Sequence, residues 1–232
     1  VASVVQHKSV ASGASVTFDN PTTAGNSIVV LARVYGTADP GTTDITDNKS
    51  NTYTRRDAAG LGGVATKAAI YDCQAPTMGS SHTVSCAAHT DHGMTAIEVN
   101  GLTGSPSFDK SAAAIGAPSS TPTTGNTATL SQADEIVFAT VATDQGNTDT
   151  ITQSAGEGWT LLSESERGDI ELAYNAVYKI VAATTALAAS WTLASSHDDA
   201  QVIGTYKISA AAATKALPFP PRRQPQLRRK GT

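Results

Sequence analysis

The 232-residue chain is 16% charged and 5% aromatic, with a formal net charge of −4 at pH 7. Charged content lies well under the roughly 25% of an ordinary soluble domain; the space is filled by Ala, Ser, Thr and Gly, which suits short hydroxyl-rich strands and argues against a helical bundle. No run approaches the roughly 18 apolar residues of a membrane-spanning helix, and the first residues lack the basic and apolar stretches of a secretory leader.

In chain order, short segments rich in Val, Ile, Thr and Tyr are separated by Gly, Asn, Asp and Pro, the pattern of strands and turns. The first half predicts strands at 4–10, 15–18, 27–34, 43–47, 52–56, 65–73, 82–88 and 94–99. The second predicts them at 108–113, 127–130, 135–142, 149–152, 160–164, 171–181, 189–194 and 201–208. Alternation puts Ala69, Tyr71 and Cys73 on one face, and Val84, Cys86 and Ala88 on another. The same reading gives core faces of Ala176, Tyr178 and Ile180, then Trp191 and Leu193.

The two halves repeat. Ile70-Tyr71 falls on Val177-Tyr178 at an offset of 107, and the same offset carries Thr83–Cys86 onto Ser190–Leu193. Ile45 meets Ile151 at 106, and Ile28-Val29 meets Ile136-Val137 at 108. At these offsets Ile180 and Leu193 stand where the first half has Cys73 and Cys86. The expected architecture is all-β: two tandem antiparallel β-sandwich domains, jelly-roll or immunoglobulin-like, related by internal duplication. They span 1–102 and 108–210, with a linker at 103–107 and an extended tail at 211–232.

The phrases DITDNKSNTYT (44–54), AVYKIVAA (176–183) and SWTLASSHDDAQVIGTYKIS (190–209) resemble a family of bacterial and phage extracellular β-sandwich proteins. The resemblance covers nearly all of residues 1–209. It implies surface, tail-associated or head-decoration components, mostly without catalytic residues. The second half departs from the pattern: Ala155-Gly156-Glu157-Gly158 replaces the turn Asn48-Lys49-Ser50-Asn51.

Several residue sets bear on chemistry. Cys73 and Cys86 form a disulfide candidate, if the strands around the loop at 76–81 make a hairpin that sets them opposite. Such a bond would add about 3 kcal/mol by chain entropy. The competing reading is two reduced thiols acting as small hydrophobes. His89, Asp91 and His92, and in the second half His197, Asp198 and Asp199, have side chains that ligate zinc, but they read better as turn residues. Asp44, Asp47 and Asn48 lack the spacing of an EF-hand calcium loop. There is no GxSxG elbow, and the carboxylates Glu164 and Glu166 have no counterpart in the first half. No catalytic residue, metal ligand or cofactor is therefore assigned, and the expectation is a non-enzyme. Tyr35, Tyr174 and Tyr206 are the loose candidates for stacking on sugar, so a carbohydrate-binding or adhesin module is the alternative, and a polysaccharide-active enzyme stands third.

The charge is unevenly placed. Residues 217–232, LPFPPRRQPQLRRKGT, carry +5, which leaves −9 on residues 1–216. Four prolines favour an extended strand over a helix. Phe219, Arg222, Arg223, Leu227, Arg228, Arg229 and Lys230 are the expected partner-binding residues. The expected partner is a neighbouring copy or a capsid or assembly protein, in a virion or outside the cell. A glycan is a second partner class; nucleic acid is disfavoured because the cations lack interleaved stacking aromatics, and no membrane is expected.

Overall fold

A computed structural model describes residues 2–11, 13–62, 65–87, 91–144, 151–153, 158–165 and 173–209, and among them there is no helix. The first half contains β1 (Ser3–Val10), β2 (Ser15–Thr17), β3 (Ser27–Tyr35), β4 (Ile45–Asp47), β5 (Thr54–Ala59), β6 (Thr66–Cys73), β7 (Thr83–Cys86) and β8 (Asp91–Asn100). The second contains β9 (Phe108–Ser119), β10 (Asp134–Thr143), β11 (Ile151–Gln153), β12 (Thr160–Ser165), β13 (Ala173–Ala182), β14 (Trp191–Leu193) and β15 (His197–Lys207). The tail at 211–232, with Phe219, Arg222, Arg223, Leu227, Arg228, Arg229 and Lys230, lies outside the described residues.

All strand pairs are antiparallel. Each half has one large sheet, ordered β1-β8-β3-β6-β5 and β9-β15-β10-β13-β12, and one small sheet, β2-β7-β4 and β11-β14. When only the five strands of each large sheet are ranked in sequence order, both sheets run 1-5-2-4-3. The strand expected at 127–130 is absent. Residues 120–124 instead lie beside β14, through a bridge between Thr123 and Ser190 and backbone bonds from Trp191 and Leu193 to Pro122 and Ser120.

The packing has four layers. In the first half the small sheet covers Ile28, Val30, Ala69, Tyr71 and Met94 of the large sheet. In the second, Trp191, Leu193 and Ile151 cover Val137, Ala139, Val177 and Ile203. The opposite faces of the two large sheets then close on each other: Val29, Leu31, Ile70, Ile97 and Val99 meet Ile136, Phe138, Val202 and Tyr206 in one cluster. Every residue of β6, and all but the last of β3, is buried. Strands covered on both faces read as continuous apolar runs, which is why alternation is weak in SIVVLARVY and DEIVFATVAT. Gly204 belongs to the same contact, since a Cβ there would stand 2.7 Å from Ile70 Cδ1.

The segment 101–107 does not hold the halves apart. Leu102 bridges Ile208, Thr103 N donates to Lys207 O, Lys207 N donates to Ser107 O, and Ser107 N reaches Gln74 Oε1.

Two sequence alignments shift. Ile28 faces the first half's own core, whereas Ile136 faces the central layer, so by face Ile136 corresponds to Val29. Tyr71 and Tyr178 likewise lie on opposite faces, and Ile180, expected in the core, is 49% exposed. A one-residue slip in a strand exchanges its two faces, and with both faces apolar the hydrophobic pattern does not penalise the slip. The expected hairpin between the cysteines is also absent. Cys73 on β6 pairs with Ile28, Cys86 on β7 pairs with Ile45 in the facing sheet, and both are free, buried thiols.

A shared central layer should make the halves unfold together. Calorimetry is expected to show one transition, and Phe138→Ala should destabilise the whole body by about 3–5 kcal/mol. Two separable transitions, with only one displaced by the substitution, would contradict the shared core.

Candidate functional site

Buried polar groups are concentrated in four places. The first is the turn after β4. Asp47 Oδ1 accepts the backbone N–H of Lys49 (2.9 Å) and Asn51 (3.0 Å), and Oδ2 accepts Asn51 Nδ2, Tyr53 OH and His82 Nε2 at 2.7, 3.0 and 2.8 Å. With Nε2 protonated toward Asp47, His82 Nδ1 is left to accept from Thr22 Oγ1 at 2.9 Å. Burial alone would raise the Asp47 carboxyl; the bonds from Asn51, His82 and Tyr53 overcome it and hold the group below its ordinary value. The Asp–His–Thr chain has the shape of a nucleophile relay. Its histidine and aspartate side chains are fully buried and Thr22 is 5% exposed, so it closes no accessible site. Its structural effect is to tie the turn to the loop at 77–82, where Asn51 also bonds Thr77 and Lys49 Nζ reaches Ser80 O.

The second place is the seam between the halves. Arg56 Nε lies 2.9 Å from both oxygens of buried Asp72, and its guanidinium stands over the Phe108 ring at 5.0 Å. Arg33 of β3 stacks on Tyr174 of β13 at 4.3 Å, again across the central layer. Tyr174 and Tyr206 are 3% and 0% exposed, and Tyr35 packs on the same cluster, so these tyrosines serve the core rather than a sugar-stacking surface.

The third is a carboxyl pair. Asp109 accepts Ser131 N at 2.7 Å and Ser131 Oγ at 2.6 Å. Burial pushes its partner Glu135 up to about 7; the Thr205 hydroxyl works against this and Asp109 adds to it.

The fourth place opens on a cavity. The end of β9, the segment at 121–125 and the start of β15 enclose about 340 Å³, walled by Ile115, Gly116, Ala117, Pro122, Asp199 and Gln201. The sequence placed His197, Asp198 and Asp199 in a turn. They lie on β15, where alternation exposes Asp198 and buries His197 and Asp199, and no cluster of three metal-ligating side chains occurs among the described residues. Asp199 is 0% exposed. Its Oδ1 accepts Gln201 Nε2, the Gly116 N–H donates to the carboxylate, and Oδ2 has no partner among the described residues. Burial raises the Asp199 carboxyl; Gln201 and Gly116 oppose this, while Asp198 and Asp144 add to it. Gly116 leaves room for the group, since a Cβ would overlap its oxygens and stand 2.6 Å from Cγ.

Of the other candidates, His92 is buried on β8, Asp44 accepts the Gly41 N–H, and Asn48 bonds Ser81 and Thr83. His89, Glu166, the second-half turn at 155–157 and the side chains of Asp91 and Glu164 lie outside the described residues.

Two titrations follow. The lowered Asp47 contributes stability that is present above about pH 4 and lost as pH falls through its folded value. Asp47→Asn should cost about 2–4 kcal/mol at pH 7, with the gap from the parent narrowing toward pH 3 in urea titrations; a constant gap would contradict this. Glu135 has the opposite sign: the folded state keeps a proton that the unfolded chain releases above about pH 4.5, so its contribution falls as pH rises to about 7. Glu135→Gln should raise Tm by about 2–6 °C at pH 8 and leave it unchanged at pH 4.

No protein-family model, curated protein or solved structure matches the chain.

Proposed function

We propose that this chain is a non-enzymatic structural protein of a virion or extracellular assembly, a decoration or tail-associated subunit anchored through its basic C-terminal residues. The observation that carries this reading is the central layer between the two large sheets. It joins the halves into one β body, and the polar seam of Arg56, Asp72 and Phe108 reinforces the joint. Such a body suits a scaffold that must transmit position without bending. The matching strand orders support an origin by duplication, which doubles the scaffold without repeating a polar site: the Asp47 turn and the Asp199 cavity each belong to one half. The charge layout supports the anchor, because a segment of +5 attached to a body of −9 is complementary to a neighbouring copy.

The test is a chain lacking residues 217–232. Its body should melt as the parent does, by circular dichroism, while assembly measured by sedimentation and electron microscopy is lost. Assembly at parental strength would remove the tail from the anchor role.

A further inference from the structure

The cavity at Asp199 contains a feature that the scaffold role does not require. A carboxylate that only joined strands would satisfy both oxygens, as Glu98 does in the first half: its Oε1 accepts Thr23 N and Asn26 Nδ2 at 2.8 and 2.6 Å, and its Oε2 accepts Gln6 Nε2 at 2.7 Å. Asp199 is as deeply buried, yet Oδ2 lacks a partner among the described residues and the residue lines an open cavity. A buried carboxylate oxygen without a donor is strongly unfavourable, and a ligand that brings a donor removes the penalty.

The surroundings select the donor. Asp144 and Asp198 act on Asp199 as like charges, so a cation beside its carboxylate is favoured over a neutral hydroxyl. The mouth is apolar: Ile115, 48% exposed, with Ala114, Ala117 and Pro122, offers a wall for an aliphatic stem. A stem that lies on apolar surface and carries a charged head into a polar end is the build of arginine and lysine side chains. Gly116 completes the cradle, for its backbone angle does not demand glycine whereas the space beside the carboxylate does.

We propose that the cavity between β9, residues 121–125 and β15 binds an alkyl guanidinium or alkylammonium group, the head of a basic side chain, with Asp199 as its counter-ion. This goes beyond the scaffold reading and does not depend on it. The chain's own residues 217–232 and a foreign basic peptide are two sources of the same chemistry.

The experiment uses the full chain, with n-butylguanidinium as the probe and n-butylurea as its neutral counterpart, followed by chemical-shift titration. Saturable binding of the cation is expected, with shifts at Gly116 and Gln201, at least tenfold weaker binding of the urea, and at least tenfold loss in Asp199→Asn. A Gly116→Val variant, which crowds the cradle and keeps the charge, should also lose binding; folding of each variant is checked by its amide spectrum. A full-length variant with Arg222, Arg223, Arg228, Arg229 and Lys230 changed to Gln separates the sources. Tighter binding of the probe there identifies the tail as a competing occupant, and unchanged binding assigns the site to a basic group from another molecule. Equal affinity for cation and urea, parental affinity in a folded Asp199→Asn protein, or no saturable binding in both the parent and the tail variant overturns the proposal. Loss of assembly on deleting 217–232 is a separate measurement, so either result can fail alone.

Discussion

The face-to-face contact of the two five-stranded sheets is the constraint on which the rest depends. Each large sheet is covered on one side by a small sheet and on the other by its partner, so its central strands, β3 and β6 in one half and β10 and β15 in the other, are buried on both faces. This accounts for the composition of the central strands, the small side chain at Gly204 against Ile70, and the placement of Arg33 and Arg56 where their charge is met by aromatic faces or a carboxylate. Burying an arginine is unfavourable unless its donors are met. Arg56 meets that requirement through its bidentate contact with Asp72 of its own half, while its stacking on Phe108, and that of Arg33 on Tyr174, joins residues from opposite halves.

The polar clusters divide by accessibility. Asp47 collects five donors and uses them to hold a turn against a neighbouring loop. Its histidine and threonine partners resemble catalytic groups by type alone, because the chain of bonds is sealed. Asp199 is the reverse case: equally buried, less fully bonded and beside a cavity. Burial therefore does not separate scaffold from site here; the count of satisfied oxygens and the presence of a cavity do.

Much of the fold was legible in the chain. Short β-branched segments with Gly, Asn and Asp between them specify antiparallel strands through local propensity and turn chemistry, and fifteen of the sixteen expected segments overlap a strand along half their length or more. The segment 127–130 failed because Thr and Leu there suit a strand equally well, and pairing beside β14 was decided by residues 120–124 instead. The cysteine hairpin failed for a related reason: the nine residues between β6 and β7 permit a hairpin or a crossing between sheets, and spacing does not choose between them.

The sequence by itself determined the class, most of the strand inventory and the weakly charged, acidic body, because these follow from local residue type and composition. Only tertiary structure decided which face each strand shows to which layer. Where both faces are apolar, period two carries no label for inside, so Ile28 and Val29, or Tyr71 and Ile70, exchange roles at no cost to the pattern. Only tertiary structure, too, turned Asp199 from one of three polar residues in an expected turn into a buried carboxylate at the wall of a cavity, because that depends on the alternation of β15 and on a glycine from β9 more than eighty positions away.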